Sequence, residues 1–163
     1  MAEAQVKVGE PQPQITQLSW FIGEWDIQSK MRKQEGGWVE DECYSTIQPM
    51  LGGHALQERF WGTLGGEPLD ALSMRTFNEA LDRWEQAWLD TSSHRIAVFY
   101  GQWDGEKFIG QSRETVENPD AERKVREIFF DIEENRFSWK LEMMGKDNPE
   151  WAIVWSLEYT RKS

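Results

Sequence analysis

The chain has one cysteine, six prolines, no long apolar run and a deficit of positive charge. A single thiol, Cys43, cannot form an intrachain disulfide, which fits a reducing compartment. With a net charge of −11, the chain lacks the basic footprint that nucleic acids and anionic membrane surfaces require. No stretch is apolar enough to span a membrane, and the first ten residues lack the basic start and apolar core of a signal peptide. We therefore expect a cytoplasmic protein with neither nucleic-acid nor membrane partners.

The sequence also lacks the short motifs that mark common enzyme and metal sites. His54 and His94 belong to no His-x-His or His-Glu-x-x-His spacing, so we expect no metal site. No Gly-x-Ser-x-Gly, Walker or Rossmann motif is present, and no spaced pair of carboxylates stands out as an acid–base couple. We therefore assign no catalytic residue from the sequence.

Aromatic residues and regularly spaced turn signals are what the chain does contain. The chain contains 10 Trp and 8 Phe. We therefore expect large aromatic rings, rather than many aliphatic side chains, to form the core. Turn signals recur every twelve to sixteen residues after residue 24 and separate ten segments of strand length. The signals lie at 36–37, 52–53, 65–66, 78–79, 92–93, 104–105, 118–120, 134–135 and 147–149.

Side chains alternate between apolar and polar in several of these segments. Phe137, Trp139, Leu141 and Met143 share one face of their segment, and residues 151–159 follow the same pattern. One buried and one solvated face is typical of antiparallel sheets, and closure removes the exposed edges of a meander. We predict an all-β, up-and-down antiparallel barrel of about ten strands, with a β-sandwich as the alternative.

The N-terminal part of the chain differs from the rest. Residues 1–13 are polar and are interpreted as a flexible lead-in, and residues 14–163 as a single barrel domain. Ile15, Leu18 and Ile22 follow at helical spacing. We expect a short helix there, with its apolar face laid across one open end of the barrel.

The first strand begins with Gly23-x-Trp25, and the last strand ends with Arg161. This pair of features resembles the signature of calycins, the group that includes the lipocalins, in which the Trp closes the barrel floor and a late Arg packs across its ring. The resemblance implies structural roles for Gly23, Trp25 and Arg161. A guanidinium over an indole face is a favourable cation–π contact.

Fragments spread along the chain resemble a narrower group. Their order and spacing are similar to those of a family of small bacterial calycin-like barrels that carries a domain-of-unknown-function label. The resemblance implies a calycin-like fold with an apolar cavity, and it implies no reaction. The fragments are Leu18-x-x-Phe21-Ile22-Gly23-x-Trp25, Leu51-Gly52-Gly53, Trp84-x-x-x-Trp88-x-Asp90, Gly101-x-Trp103-Asp104-Gly105, Arg126-x-x-Phe129, Phe137-x-Trp139 and Tyr159-x-Arg161.

A more distant resemblance, to nitrobindin-like haem-binding barrels, raises the question of a cofactor. Those relatives carry Gly-x-Trp-x-Gly-x-Gly, whereas Ile27 and Ser29 stand at the positions of the two later glycines in this chain. We therefore expect no cofactor. A haem held by a single axial histidine is the alternative.

If the apolar faces point inward, some polar side chains enter the lumen with them. Glu58 shares a face with Phe60, and Arg126 shares one with Ile128. Because an unpaired buried charge is costly, we predict that Glu58 and Arg126 are partners or together hold a polar group of a ligand. A slip of one residue in the face assignment would place either side chain outside the barrel.

The aromatic residues on these faces either fill the core or line a pocket. Barrels wider than eight strands enclose ligand space, so we predict a pocket. We expect a non-enzymatic binder of a small, largely apolar molecule. The alternatives are an isomerase or hydrolase that uses an inward carboxylate and an Arg, a haem-binding barrel, and a module that binds a protein partner through an outer apolar patch. The predicted ligand-binding residues are Glu58, Phe60, Trp84, Trp88, Arg126, Trp139, Trp155 and Tyr159.

Overall fold

The fold is a closed barrel of ten antiparallel strands, each paired with its neighbours along the chain. A computed structural model describes residues 6–163. The last strand pairs with the first, with Trp25 opposite Arg161, and this pairing closes the sheet. The predicted up-and-down barrel is confirmed. The strands are β1 (Gly23–Arg32), β2 (Trp38–Met50), β3 (Ala55–Leu64), β4 (Glu67–Asn78), β5 (Arg83–Asp90), β6 (Ile96–Trp103), β7 (Phe108–Ser112), β8 (Lys124–Phe130), β9 (Arg136–Gly145) and β10 (Asn148–Arg161).

The connections between strands lie where the sequence placed its turn signals. In the β1–β2 turn, Gly36 and Gly37 adopt φ angles of 95° and 79°, which side chains other than glycine rarely tolerate. The β7–β8 connection runs from residue 113 to residue 123 and contains a short helix, α1 (Arg113–Glu117). The Ser112 hydroxyl accepts a hydrogen bond from the Thr115 N–H at 3.2 Å, so the last residue of β7 caps this helix.

A 3-10 helix at Pro13–Phe21 covers one end of the barrel, as predicted. Leu18 and Phe21 are its buried residues. The helix is also tied to the wall beneath it, because the Trp84 indole N–H donates to the side-chain oxygen of Gln17 at 3.0 Å. We call the covered end the floor and the opposite end the mouth. None of the helices within 6–163 is long and apolar enough to cross a lipid bilayer.

The segment before this helix has no regular secondary structure from residue 6 to residue 12. It contacts the floor end, where the Gln12 amide donates to the Phe77 carbonyl at 3.1 Å and His54 Nε2 lies 2.9 Å from the Gly9 carbonyl oxygen. Residues 1–5 of the predicted flexible lead-in lie outside the described residues. The flexibility of the lead-in stays a prediction.

The floor is packed with aromatic rings. Trp25 is fully buried and meets Phe137 edge-on at 4.8 Å between ring centroids. On the neighbouring strands, Gly101 and Gly110 lie opposite one another, and a β-carbon on Gly101 would collide with the Phe108 ring. Glycine at this position therefore makes room for a floor aromatic.

In two strands, the face that points into the barrel is the opposite of the one that we predicted. In β8, Glu127 and Phe129 are buried, whereas Arg126 points outward. In β4, the alternation of Leu72, Met74 and Thr76 predicts that these three residues face inward. In the structure, Arg75 is buried and Met74 is 52% exposed. Both strands carry large apolar side chains on both faces, so their alternation does not indicate which face is inside.

A bulge in β10 changes its face part-way along the strand. Ile153 pairs with Glu142 and Trp155 pairs with Leu141, so Val154 is an extra residue in the ladder. Trp155 therefore points into the barrel, whereas Ile153 is 39% exposed. Our assignment of one inward face to the whole of residues 151–159 was wrong for the part before the bulge.

Candidate functional site

A cavity of about 240 Å³ occupies the barrel lumen and opens at the mouth. Asp90, Ser93, Arg95 and Arg123, which lie at strand ends and loops, line its outer part. Toward the floor, no space for a water molecule remains between Arg75 and the helix. The cavity is therefore closed toward the floor and open at the mouth.

Four aromatic side chains form the wall of the pocket. Trp139 and Trp155 meet edge-to-face at 5.0 Å between ring centroids, and Trp88 lies 6.3 Å from Trp155. Phe60 lies 5.6 Å from Trp88 and closes the group. Aromatic pairs of this kind hold one another in fixed orientations, so the wall is preorganised.

The three wall indoles have their N–H groups bound by the barrel itself. Trp88 donates to Asp90 at 2.7 Å, Trp139 to Glu127 at 2.9 Å and Trp155 to Ser29 at 2.9 Å. Because these donors are already satisfied, the indoles offer a ligand mainly carbon surface. Such a wall suits an apolar molecule.

Beneath the aromatic wall lies a layer of buried polar side chains. Glu58, 2% exposed, accepts hydrogen bonds from Ser45 at 2.7 Å, from Tyr159 at 3.1 Å and from Ser73 at 3.2 Å. The guanidinium of Arg75 lies 3.8 Å from the same carboxylate. Glu58 is therefore paired as well as hydrogen-bonded, which makes its burial tolerable.

Arg75 connects this polar layer to the floor. Its Nε donates to the Gln86 side chain at 3.0 Å, and its Nη1 donates to Ser73 at 3.0 Å. The guanidinium carbon also lies 4.5 Å from the centre of the Phe21 ring, on the helix that covers the floor. The helix and the polar layer therefore stabilise each other's position.

Glu127 is the second buried carboxyl group of the pocket. One oxygen accepts from Trp139, whereas the other has no hydrogen-bond donor. Burial raises the pKa of Glu127, and although the Arg75 charge and the Trp139 and Gln86 side chains oppose this effect, the pKa stays above its usual range. Glu127 is thus poised toward its neutral form.

Tyr159 is the hydroxyl group that completes the polar layer. Burial, followed by the nearby charge of Glu58, raises the pKa of Tyr159 well above its ordinary value. The phenol therefore stays protonated and remains a hydrogen-bond donor to Glu58.

The structure brings together most of the predicted ligand-binding residues and separates two from them. Trp84 is buried in the floor against Phe77 and does not line the cavity. Arg126 lies outside the barrel, 4.1 Å above the Trp151 ring and 3.3 Å from Glu142. The predicted pairing of Glu58 with Arg126 is therefore wrong. The predicted residues that do line the cavity are Glu58, Phe60, Trp88, Trp139, Trp155 and Tyr159.

Arg75 and Glu127 are the site residues that the sequence analysis missed. A signal for Arg75 existed, because the β4–β5 hairpin places Phe77 opposite Trp84. If Trp84 points inward, Phe77 and Arg75 must do so too. No comparable signal marks Glu127, since its strand is apolar on both sides.

The predicted structural residues meet at the floor. The Arg161 guanidinium carbon lies 4.2 Å from the centre of the Trp25 ring. Arg161 also donates to the carbonyls of Ile22 at 2.8 Å and Trp20 at 3.3 Å, which anchors the end of the helix. Gly23 has a φ of 145°, and a β-carbon there would collide with this guanidinium.

The two histidines and the cysteine lie away from the cavity lining. His54 contacts the N-terminal segment, His94 lies in an exposed loop, and neither lines the cavity. Within residues 6–163, no three side chains of the metal-binding types come together. Cys43 is buried, and burial followed by the charge of Asp41 raises the pKa of its thiol to about 11.

Residues 10–161 match the family model described as "Protein of unknown function (DUF1579)". The chain belongs to the DUF1579 family. The match covers the helix and all ten strands, so the floor, the polar layer and the mouth all lie within the DUF1579 region.

Solved structures similar to this DUF1579 chain share its fold at low sequence identity. Rv2717c from M. tuberculosis is 13% identical, with a TM-score of 0.66 over 94% of this chain and 100% of that one. The S-type phycobiliprotein lyase CPES from Guillardia theta is 9% identical, with a TM-score of 0.58 over 94% of this chain and 99% of that one. No curated protein matches the chain in sequence.

Proposed function

We propose that this protein binds a small, largely apolar molecule in the lumen of its barrel. The observation that carries the proposal is the blind cavity of about 240 Å³ beneath the mouth, lined by Phe60, Trp88, Trp139 and Trp155. Ligand pockets are typically about 300–1,000 Å³ and mostly apolar with a few polar groups, so this one suits a small ligand.

The polar layer beneath the wall supplies the few polar groups that such a pocket needs. Glu127 and Arg75 both line the cavity at its deep end. A hydroxyl or carbonyl group on the ligand could therefore be oriented there, while the aromatic wall buries its apolar part. Burial of about 100 Å² of apolar surface would contribute about 2.5 kcal/mol to binding.

The same proposal treats the barrel as calycin-like and the protein as a bacterial, cytoplasmic one. The Gly23, Trp25 and Arg161 contacts at the floor support the calycin-like assignment. The net charge of −11 supports the proposed absence of nucleic-acid and anionic membrane partners.

Calorimetric titration with a neutral apolar probe, N-phenylnaphthylamine, tests the binding proposal. We expect saturable binding to one site, weakened about tenfold or more in Ala97→Trp, because the new indole would occupy the cavity that Ala97 lines. Ile96→Trp is the matched control, since Ile96 is the preceding residue and is 63% exposed. Binding that both variants leave unchanged would place the probe outside the lumen and contradict the proposal.

A second candidate function is an enzyme that uses Glu127 as an acid or base. The observation that favours it is a buried carboxyl group with a raised pKa, beside a cavity with access for water. One structural neighbour is named a lyase, but at 9% identity that likeness extends to the fold alone.

Incubation with a metabolite extract separates the two functions. Mass spectrometry of the mixture reports a molecule retained unchanged if the protein only binds. Catalysis would instead deplete one component and form a product, and the Glu127→Gln variant would lose product formation while it still binds N-phenylnaphthylamine.

A further inference from the structure

Two arginines at the mouth of the cavity form no ion pair with any of residues 6–163. Arg95 lies directly before β6 and Arg123 directly before β8, and both are exposed and line the outer part of the cavity. No carboxylate oxygen of residues 6–163 lies within 4.0 Å of a guanidinium nitrogen of either arginine. Two arginines that take part in no close ion pair therefore border the entrance.

The acidic residue at the mouth is occupied by its own loop. One Asp90 oxygen accepts from the Ser92 N–H and hydroxyl and from the Ser93 N–H, at 2.7 to 2.9 Å, and the other accepts from Trp88. Although burial alone would raise the pKa of Asp90, the hydrogen bonds from Ser93, Trp88 and Ser92 lower it to about 2. Asp90 thus stays charged, and its oxygens hold the loop that carries Arg95.

The charges along the cavity are unevenly distributed with depth. At the deep end, Glu58 is paired with Arg75, and the pKa of Glu127 is raised toward the neutral acid. At the mouth, Arg95 and Arg123 outnumber Asp90. This local excess of positive charge occurs in a chain whose net charge is −11, so it does not reflect average composition.

We propose that Arg95 and Arg123 bind the anionic end of an amphipathic ligand whose apolar body occupies the lumen. The inference rests on the proposed function and names its ligand class, an apolar molecule that ends in a carboxylate, sulfonate or phosphate. Guanidinium groups suit such anions because they donate two parallel hydrogen bonds in a fixed geometry. The ligand enters with its apolar end first, and its charged end stays at the solvated mouth.

A pair of dyes with one shared skeleton tests this inference. Anilinonaphthalene sulfonate differs from neutral N-phenylnaphthylamine by its sulfonate group. We expect the double substitution Arg95→Met and Arg123→Met to weaken sulfonate binding about tenfold, because exposed ion pairs are modest in strength. Binding of the neutral dye should stay within about twofold of wild type, because that dye has no charge for the arginines to bind. Added salt should weaken binding of the sulfonate only.

Arg136→Met is the matched control, since Arg136 is exposed and begins β9 at the floor end. It removes the same kind of charge far from the mouth and should change neither affinity. Ala97→Trp should weaken binding of both dyes. Circular dichroism of each variant confirms that the barrel is folded.

The outcomes separate the two proposals. If both dyes lose affinity in Ala97→Trp but the double arginine variant binds the sulfonate as the wild type does, the anion site is wrong and the lumen proposal stands. If the sulfonate binds equally well to Ala97→Trp, it binds outside the cavity, which also overturns the anion site. If neither dye binds the wild type, both proposals fail.

Discussion

Glu127 is a carboxyl group whose charge is poorly solvated. It is 2% exposed, and one of its oxygens has no donor, whereas Glu58 accepts three hydrogen bonds and faces Arg75. The two carboxyl groups therefore share one layer but differ in their surroundings: Glu58 is paired and fully hydrogen-bonded, and Glu127 is not. At the scale of single residues, this difference is the chemically distinctive feature of the pocket.

The raised pKa of Glu127 predicts a pH-dependent stability. Below the ordinary pKa of 4.5, the folded and unfolded states both hold the proton. Above it, the folded state keeps a proton that the unfolded chain has released, so this group's contribution to stability falls as pH rises toward the folded pKa. Glu127→Gln removes that loss. We expect the free energy of unfolding of the variant to increase relative to wild type between pH 5 and pH 8, measured by urea denaturation.

Glu58→Gln is the control that makes this result specific. It is the same substitution in the same layer, but it leaves the buried Arg75 without its counter-charge. Breaking such a pair typically costs about 3–5 kcal/mol. The prediction is contradicted if the difference in free energy of unfolding between Glu127→Gln and wild type is the same at pH 8 as at pH 5. Glu127 would then not hold its proton in the folded protein over this range.

Cys43 should be unreactive in the native protein. Its side chain is fully buried and its thiol pKa is raised to about 11, so very little thiolate exists at pH 8 and reagent has no access. We expect labelling by a disulfide reagent to be at least about a hundredfold slower than that of the unfolded chain in urea. Labelling of the folded protein at the rate of the unfolded chain would show that the Cys43 thiol is accessible to reagent, which would contradict its burial.

At the scale of strands, glycine positions determine how closely the floor aromatics pack. Gly101 is surrounded by the Phe108 ring and the Ile109 carbonyl. Gly101→Ala should destabilise the protein by about 1–3 kcal/mol, because the added carbon overpacks the floor. The double variant Gly101→Ala, Phe108→Leu should recover part of this loss, as measured by thermal denaturation.

Gly145→Ala is the control for this effect. Gly145 ends β9, has nothing within 4 Å of an added β-carbon and does not adopt a positive φ. Its substitution should change stability by less than about 0.5 kcal/mol. An equal loss of stability in both glycine variants would contradict the packing explanation, because backbone entropy alone favours alanine over glycine.

Strand-scale patterns also explain how much of the molecule the sequence predicted. Turn residues determined the positions of the ten strands, and β9 alternates cleanly, so Trp139 and Leu141 were placed inside. The predicted inward faces of β4 and β8 were wrong, because polar side chains of these strands point inward and some apolar ones point outward. The inward residues of those strands include Arg75 and Glu127, which belong to the pocket. These cavity-lining positions break the local pattern on which the prediction depends.

At the scale of the whole molecule, the barrel has four layers along its axis. An aromatic floor under the helix is followed by the polar layer, the aromatic wall and the charged mouth. A buried ion pair such as Glu58–Arg75 adds little net stability, since well-packed apolar residues often stabilise as well or better. Its position at the base of the cavity agrees with the binding that we propose.

A crystal structure of the protein soaked with N-phenylnaphthylamine would show whether the barrel lumen is the binding site. We expect the dye inside the lumen, in contact with Trp88, Trp139 and Trp155, with the barrel backbone unchanged. A lumen filled by repacked side chains, with the dye absent or on the outer surface, would contradict this expectation.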